Sequence, residues 1–378
     1  MLSRTGWTAL FASVILLAIS AWLSYIELAA LAVAGLLAVG VGFAWILFRP
    51  RVEVEHRVTP LRLTAGDSSR AEVIVTNTGT RPSLPLIAID RVASAGVELA
   101  LPRLPPRAST TLGYELPTSR RAVLQVGPLE INRADPFGFV RFDQRHGHPV
   151  TVYIHPRRHR LRALPASLER SLDGPTSDTA RGSQVFHALR EYVPGDDRRM
   201  IHWKTSARTG TLMVREHVDT SLPDLTILLD TRRSHHNLNS FEQAVEVAAS
   251  LTSACAGQGF PVRLRTTNGL TFEPMGGEEA TTFFLDRLAG AELSDTGELV
   301  ALAQSMQSGR AGLALVVVTG HPTQADVRAL NPLVRQYDSV TIVDLNPDAN
   351  ERFSGPGIDR IEAATSLEFA ELWNSGAR

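Results

Sequence analysis

The stretch "DLTILLD", Asp224–Asp230, decides the fold class of the C-terminal half of this chain of 378 residues. It is almost continuously apolar between two aspartates, as expected of a strand that is buried on both faces of a sheet. The stretches "LALVVVTG" (313–320) and "SVTIVDL" (339–345) have the same character. Segments with apolar residues at helical spacing lie between and beside them, at 240–259, 279–290, 298–309 and 323–337. This alternation predicts a Rossmann-type α/β domain with an open, mostly parallel sheet and helices on both faces.

The region before that domain has a different pattern. Short alternating or β-branched segments, separated by turns rich in glycine and proline, predict strands, among them "VEVEHRV", "RAEVIVTNT", "LPLIAIDRV" and "TVYIHP". Their rhythm is typical of an antiparallel, immunoglobulin-like β-sandwich, which we assign to residues 51–158. Residues 159–183 are a mixture of Ser, Asp, Gly and Pro without apolar periodicity, so we expect a linker or mobile loop there.

The first 50 residues contain two apolar runs, at 6–26 and 28–48, and the one charged residue from 6 to 48, Glu27, lies at their junction. Each run has about the 20 residues that a helix needs to cross a bilayer. A cleaved signal peptide is the alternative, but such peptides have a shorter apolar core and rarely a second run directly behind it. Residues 1–50 are therefore predicted to form a two-helix transmembrane hairpin, which makes this a multi-pass protein of the cell membrane.

Basic residues flank the hairpin on both sides and predict its orientation. Arg4 precedes the first run, and Arg49, Arg51 and Arg57 follow the second. Because cytoplasmic flanks carry an excess of Lys and Arg, both ends of the hairpin and the domains behind it are expected in the cytoplasm. The opposite topology, with the soluble part outside the cell and binding envelope polymers, is the weaker alternative.

Overall composition excludes some classes of partner and chemistry. Lys and Arg number 38 against 39 Asp and Glu, so no charge excess predicts nucleic-acid binding. The single cysteine, Cys255, cannot form an intramolecular disulfide, and its place on an amphipathic helix predicts a core residue rather than a nucleophile. No phosphate-binding glycine loop and no nucleophile elbow is present, so we expect no cofactor and no enzyme activity.

The segment "REYVPGDDRRMIHWKTSARTGTLMVREH", Arg190–His217, combines aromatic residues, a turn and charges of both signs. It predicts a strand, a turn, a helix that is capped by Asp196 or Asp197 and ends at Thr209 before a left-handed Gly210, and a second strand. Met200, Trp203 and Ala207 form an apolar stripe that is expected to pack against a sheet. The charges form either structural ion pairs or a surface that docks a partner or an anionic ligand.

This segment resembles the hallmark of the domain-of-unknown-function 58 family, bacterial and archaeal membrane proteins often encoded beside MoxR-type AAA+ ATPases. The family pattern is matched by Tyr192, Gly195, Asp196, Arg199, Ile201, Trp203, Ala207 and Arg208. The stretch "VGPLEINRADPFGFVR" resembles the upstream segment of the same family. The resemblance implies a MoxR-type ATPase as a partner, but it assigns no reaction. The candidate interaction surface consists of Arg190, Glu191, Tyr192, Gly195, Asp196, Arg199, Trp203 and Arg208.

The C-terminal half, 184–378 with the hallmark segment, is also similar to a von Willebrand factor A fold, as members of that family often are. Such domains commonly hold a divalent metal with an Asp-x-Ser-x-Ser loop after the first strand. Here Asp230 and Ser234 match that loop, but Arg232 replaces the central serine, and Thr319 follows a later strand where many such domains have Asp. The guanidinium is expected to pair with Asp230 and exclude a metal. The adjacent His235 and His236 are expected to be solvated.

Two functional hypotheses follow. The first is a membrane-anchored scaffold or adaptor that docks protein partners, including a MoxR-type AAA+ ATPase that acts on an unknown client. The alternative is a metal-dependent ligand-binding or hydrolytic protein with its site at Asp230, Ser234 and Thr319.

Overall fold

The computed structural model describes nine stretches of the chain, and the description below is confined to them. They are residues 2–47, 51–134, 138–162, 185–191, 201–218, 224–273, 277–307, 312–346 and 355–376. The chain divides into two compact units, Met1–His155 and Pro156–Arg378. Most of the predicted linker, 163–183, lies outside the described residues. Its first four residues belong to the second unit, where the backbone N–H of His159 donates to Ser250 Oγ at 2.9 Å.

The first unit begins with a helical hairpin. Helices α1 (Arg4–Leu23) and α2 (Ile26–Leu47) are both long and apolar enough to cross a membrane. Ser3 caps α1 by accepting a hydrogen bond from the Gly6 N–H, and Ser24 forms the turn between the helices with a positive φ of 58°. Large apolar side chains such as Phe11 and Leu37 point outward, 58% and 64% exposed.

The first helix buries small residues, and one of them, Ser13, meets a glycine of the second helix. Gly6, Ser13 and Ser20 are the buried residues of α1 and recur every seven positions. Gly35 of α2 approaches so closely that a Cβ there would lie 2.2 Å from Ser13 Oγ, although this is the end of a side chain that could rotate. Small residues at the contact and large apolar residues outside are the arrangement of helices that associate within lipid.

The rest of the first unit consists of two β-sheets. The three-stranded sheet has the order β1-β3-β6, and the other has the order β2-β9-β7-β4-β5, with β8 paired to β7. The strands are β1 (Val52–Thr59), β2 (Arg62–Thr64), β3 (Arg70–Asn77), β4 (Leu86–Val92), β5 (Ala95–Leu101), β6 (Ser109–Glu115), β7 (Ala122–Ala134), β8 (Arg141–His146) and β9 (Val150–His155). All pairs are antiparallel except β2 with β9. Side chains of both sheets share two apolar clusters, so the sheets pack face to face.

A buried polar network joins the two sheets. His56 of β1 and Tyr114 of β6 both bond Asp90 of β4, with His56 Nε2 at 3.0 Å and the Tyr114 hydroxyl at 2.7 Å from its two oxygens. The side chains of His56 and Asp90 are almost fully buried. Burial, and then the hydrogen bond to Asp90, raise the pKa of Tyr114 well above its usual value. The network therefore fixes one sheet against the other through a satisfied buried carboxylate.

The second unit contains a six-stranded sheet of order β14-β13-β12-β15-β16-β17, in which β14 alone is antiparallel. Its strands are β12 (Leu225–Leu229), β13 (Val262–Thr266), β14 (Thr271–Phe272), β15 (Gly312–Thr319), β16 (Tyr337–Asp344) and β17 (Ile358–Glu362). The helices are α4 (Leu238–Gly257), α5 (Glu278–Ala289), α6 (Leu299–Gln307), α7 (Gln324–Leu330) and α8 (Ser366–Ser375). All five residues of β12 are buried, as its apolar run predicts.

The same unit contains a two-stranded antiparallel ladder formed by β10 (Val185–Glu191) and β11 (Met213–Val218). A short helix, α3 (Trp203–Thr209), lies between these strands in sequence. Gly210 ends the helix with a positive φ of 75°, as predicted. The helix begins later than predicted, because His202 has a non-helical backbone and its side chain accepts the Thr205 N–H as an N-cap.

Candidate functional site

The order of the large sheet reverses between β12 and β15, and this switch point is where α/β folds place ligands. Asp230 directly follows β12, and Thr319 ends β15. The neighbouring carboxyl ends supply the remaining polar groups: Thr267 follows β13, and Asp326 lies in the first turn of α7. Asp230, Arg232, Thr267, Thr319 and Asp326 are called the switch-point cluster below.

Asp230 is the fully buried centre of this cluster. Its Oδ1 accepts hydrogen bonds from Arg232 Nε at 2.9 Å and from the Arg232 backbone N–H at 3.0 Å. Its Oδ2 accepts from Arg232 Nη2 and from the Thr319 hydroxyl, both at 2.8 Å. Burial opposes ionisation, but the hydrogen bonds and the charge of Arg232 outweigh it and hold the pKa of Asp230 below its usual value.

Arg232 extends the cluster to a second buried carboxylate. Its Nη1 and Nη2 donate to the two oxygens of Asp326 at 3.0 and 3.1 Å. Asp326 also accepts from the Thr323 hydroxyl and backbone N–H, which makes it part of the capping box of α7. Burial alone would lower the pKa of Arg232, but its bonds to the two aspartates raise the pKa by more than burial lowers it. The pKa of Arg232 is therefore raised overall, and the guanidinium stays charged. The ion pair of Arg232 with Asp230 is confirmed; the contact with Asp326 was not predicted.

The switch-point residues do not fit a divalent metal. Hard cations need several free oxygen ligands that converge on one point, but both oxygens of Asp230 already accept from a guanidinium. Ser234, the last serine of the predicted loop, has its hydroxyl 2.9 Å from His235 Nδ1. Among the described residues, no three His, Cys, Asp or Glu side chains are grouped as metal ligands would be. The cluster therefore holds an internal cation of its own, Arg232.

The two histidines of the loop are packed, which corrects the prediction that they are solvated. The His235 side chain is only 15% exposed, with Nε2 3.7 Å from Asp326 Oδ2. The His236 ring meets the Phe241 ring edge-on at 5.4 Å, and Gly320 lies so close that a Cβ there would approach His236 Nδ1 to 2.6 Å. Burial lowers the pKa of His236 to about 4. Both rings thus belong to the core around the cluster, rather than to an exposed loop.

Two hydrogen bonds hold the helix of the hallmark segment, α3, against strand β11. The His202 N–H donates to the Met213 carbonyl at 2.8 Å, and the Met213 N–H donates to Ser206 Oγ at 2.8 Å. Ile201 and Ser206 are the buried side chains at this contact. These bonds hold a helix of only seven residues in a defined orientation.

The opposite side of that helix is exposed, and here the prediction of a buried tryptophan was wrong. Trp203 is 67% exposed, and Lys204, Ala207 and Arg208 are also exposed. The helix begins at Trp203, and Met200 lies outside the described residues, so of the predicted apolar stripe only Trp203 and Ala207 lie on the helix, and both are exposed. Trp203, Lys204, Ala207 and Arg208 are called the α3 face below; at spacings of three and four they are neighbours on the helix surface.

The other members of the predicted interaction surface are only partly described. Arg190 and Glu191 lie at the end of β10, opposite Val214 and Met213 of β11. Tyr192, Gly195, Asp196 and Arg199 lie outside the described residues. The described part of the surface is therefore the end of the ladder together with Trp203 and Arg208.

Comparisons with known proteins agree with the hallmark segment. Residues 188–370 match the family described as "Protein of unknown function DUF58". The uncharacterized protein YeaD of Bacillus subtilis (strain 168) is 25% identical over 173 residues, which are 45% of this chain and 42% of that protein. This chain thus aligns with less than half the length of that relative.

Solved structures resemble only parts of the chain. A CARDB domain from Pyrococcus furiosus is 13% identical and covers 28% of this chain and 91% of its own, with a TM-score of 0.22. An ApaA protein from Bordetella pertussis is 14% identical, covers 28% and 94%, and has the same TM-score. At such TM-scores these likenesses carry no conclusion about this fold or its function.

Proposed function

We propose that this protein is a membrane-anchored docking protein, whose hairpin holds it at the bilayer while the α3 face binds a protein partner. The observation that carries this proposal is the exposure of Trp203 on a helix that is hydrogen-bonded to β11. Tryptophan and arginine are the residues most enriched at the centres of protein interfaces. Lys204 and Arg208, one turn apart on the same helix, make an acidic partner surface the best complement.

The proposed partner is a MoxR-type AAA+ ATPase that acts on a client at the membrane. The support is the resemblance to the family in whose gene neighbourhoods such ATPases occur, together with the family match over residues 188–370, which includes α3. An ATPase of this kind works in the cytosol, which agrees with the orientation that Arg4 and Arg51 favour. The client is not identified by any residue of this chain.

The proposal includes the finer fold assignments. An immunoglobulin-like sandwich is supported by the two face-to-face sheets of residues 52–155. A von Willebrand factor A-like domain is supported by the parallel sheet with a single antiparallel strand, β14, at its edge. In this reading the metal-binding loop of such domains has become structural, because Arg232 takes the place of the cation.

A pull-down from mild detergent, with and without ATP, tests the proposal. Tagged full-length protein is compared with Trp203→Ala and with Leu238→Ala, a control that removes another highly exposed apolar side chain, 73% exposed, from a helix of the same unit. We expect an AAA+ ATPase to be recovered with the wild type and the control, and lost with Trp203→Ala. Equal recovery with all three proteins would refute the docking role of α3.

A further inference from the structure

A pocket of about 330 Å³ lies beside the switch-point cluster, at the carboxyl ends of β12 and β13. Its apolar wall includes Leu264 and Leu288, which are buried, and Phe272 of the edge strand β14. Thr266 and Ser294 add neutral polar groups. The volume and this mixture of apolar walls with a few polar groups fall within the range of small-molecule sites. None of the proposed docking residues of α3 lines it, so the pocket is a separate feature.

The positive charge in the pocket lining belongs to Arg287, whose guanidinium packs over two aromatic rings. Arg287, in the last turn of α5, lines the pocket and lies over the rings of Phe272 and Phe283, with centroid distances of 5.7 and 5.1 Å. Among the described residues no carboxylate forms an ion pair with it. Ring contacts orient a guanidinium without neutralising it, so its charge remains available to an anion.

Glu292 is the opposing charge of the pocket lining. It is exposed to solvent, and no ring or ion pair among the described residues holds its side chain in place. A carboxylate that can move into water repels a bound anion weakly, whereas a positioned guanidinium can bind carboxylate oxygens through two parallel hydrogen bonds. The lining thus favours an anion over a cation.

We propose that this pocket binds a carboxylate that carries an apolar body, with the carboxylate on Arg287 and the body against Leu264, Phe272 and Leu288. Either a free organic acid or the C-terminal residue of a polypeptide has this chemistry. Hydrogen bonds connect the pocket to the switch-point cluster: the lining residue Thr231 donates its N–H to Thr267 at 2.9 Å, and Thr267 donates to Asp230 at 3.2 Å.

Fluorine NMR of full-length protein in lipid nanodiscs tests this, with empty nanodiscs as the blank. The probes are para-fluorophenylacetate and its neutral amide, para-fluorophenylacetamide. We expect the carboxylate to bind at least about 10-fold more tightly than the amide, and Arg287→Gln to remove that difference. Glu292→Gln should tighten carboxylate binding about 2-fold, because it removes a like charge. Ala291→Phe, which fills the pocket, should abolish binding of both probes.

Some outcomes would overturn the proposal. These are no binding of the carboxylate, equal binding of the amide, or weaker carboxylate binding in Glu292→Gln. Unchanged thermal unfolding of Arg287→Gln is expected, since Arg287 is exposed, and it separates loss of a contact from loss of the fold. N-acetyl-para-fluorophenylalanine distinguishes the two sources: tighter binding than the simple acid indicates a polypeptide C-terminus, and weaker binding indicates a free acid.

Discussion

In the switch-point cluster, every charged group is turned inward. Arg232 is 12% exposed, and its guanidinium donates through Nε and Nη2 to the buried Asp230 and through Nη1 and Nη2 to the buried Asp326. In the α3 face, a tryptophan and two cations are turned outward on a helix of seven residues. From the sequence we expected Arg232 to pair with Asp230 in the loop, and the hallmark segment to offer an interaction surface while packing Trp203 against a sheet; the structure differs in the exposure of Trp203. The difference teaches that polar residues at a fold's usual ligand position can all be used in contacts within the fold, while exposed aromatic and cationic side chains lie on a different element.

The largest expected effect is that of removing the internal cation. Arg232→Ala leaves Asp230 and Asp326 buried without their partner and should lower the free energy of unfolding by about 3–5 kcal/mol. The measurement is urea unfolding of the purified protein. Arg233→Ala is the matched control: this neighbouring arginine pairs with Asp295, but both side chains are more than half exposed, so about 0–1 kcal/mol is expected. Equal losses for the two variants would contradict the internal-cation account.

Acid should destabilise the same region in two steps. The pKa of His236 falls from 6.5 in the unfolded chain to about 4 in the fold. Between these values the unfolded chain binds a proton that the folded chain does not, so stability falls as the pH falls from about 6.5 to 4. The depressed pKa of Asp230 adds a further loss at pH values below the usual range of an aspartate.

His236→Gln should remove most of the first step, which amounts to about 3 kcal/mol for a shift of this size. The free energy of unfolding is measured at pH 7 and pH 4.5 for the variant, the wild type and His148→Gln, which changes an exposed histidine. A slope that stays the same in His236→Gln would show that this ring is not buried in its neutral form.

In contrast to the switch-point cluster, substitutions in the α3 face should affect partner binding more than stability. Trp203→Ala is expected to change the free energy of unfolding by less than about 1 kcal/mol, because the side chain is mostly exposed. It should weaken partner binding more than about 10-fold, as tryptophans at interface centres do. Unfolding curves and a binding titration on the same preparation separate the two effects. A decrease in the free energy of unfolding of about 3–5 kcal/mol, as expected for a buried tryptophan, would show that Trp203 is a core residue instead.

Arg208→Ala should have the smallest effect. It leaves stability unchanged, since Arg208 is exposed at the last turn of α3, and should weaken partner binding about 3-fold through slower association. Stopped-flow association at low and high salt measures this. An effect on dissociation alone, independent of salt, would mean that Arg208 makes a buried contact instead of steering an acidic surface.

Strands β12, β15 and β16 of the large sheet could be predicted because their apolar runs record burial on both faces. Strands β14 and β17 could not, since the first has two residues and the second, "IDRIE", reads as an ordinary polar segment. The pair of Arg232 with Asp230 is local and visible in the loop. Its contact with Asp326 is not, because 94 residues separate them, although "TQAD", Thr323–Asp326 at the start of α7, carries the signature of a capping box.

The burial of Trp203 was predicted wrongly because the start of its helix was predicted wrongly. The spacing of Met200, Trp203 and Ala207 describes a helical stripe only if one helix includes all three. His202 interrupts it, because its Nδ1 lies 3.3 Å from the Thr205 N–H and caps a helix that starts at Trp203. A histidine N-cap is a weak sequence signal compared with Ser, Thr, Asp or Asn, so periodicity alone favours the wrong start.

Oxidative footprinting read by mass spectrometry tests the central claim most directly, because it compares Trp203 with the buried Trp373 in one sample. The account predicts heavy modification of Trp203 and little of Trp373, which is 1% exposed, in the free protein. It also predicts that Trp203 becomes protected in the complex recovered with the ATPase, while Trp373 is unchanged. A Trp203 that is unmodified in the free protein, or modified equally in free and bound protein, would contradict the proposed docking surface.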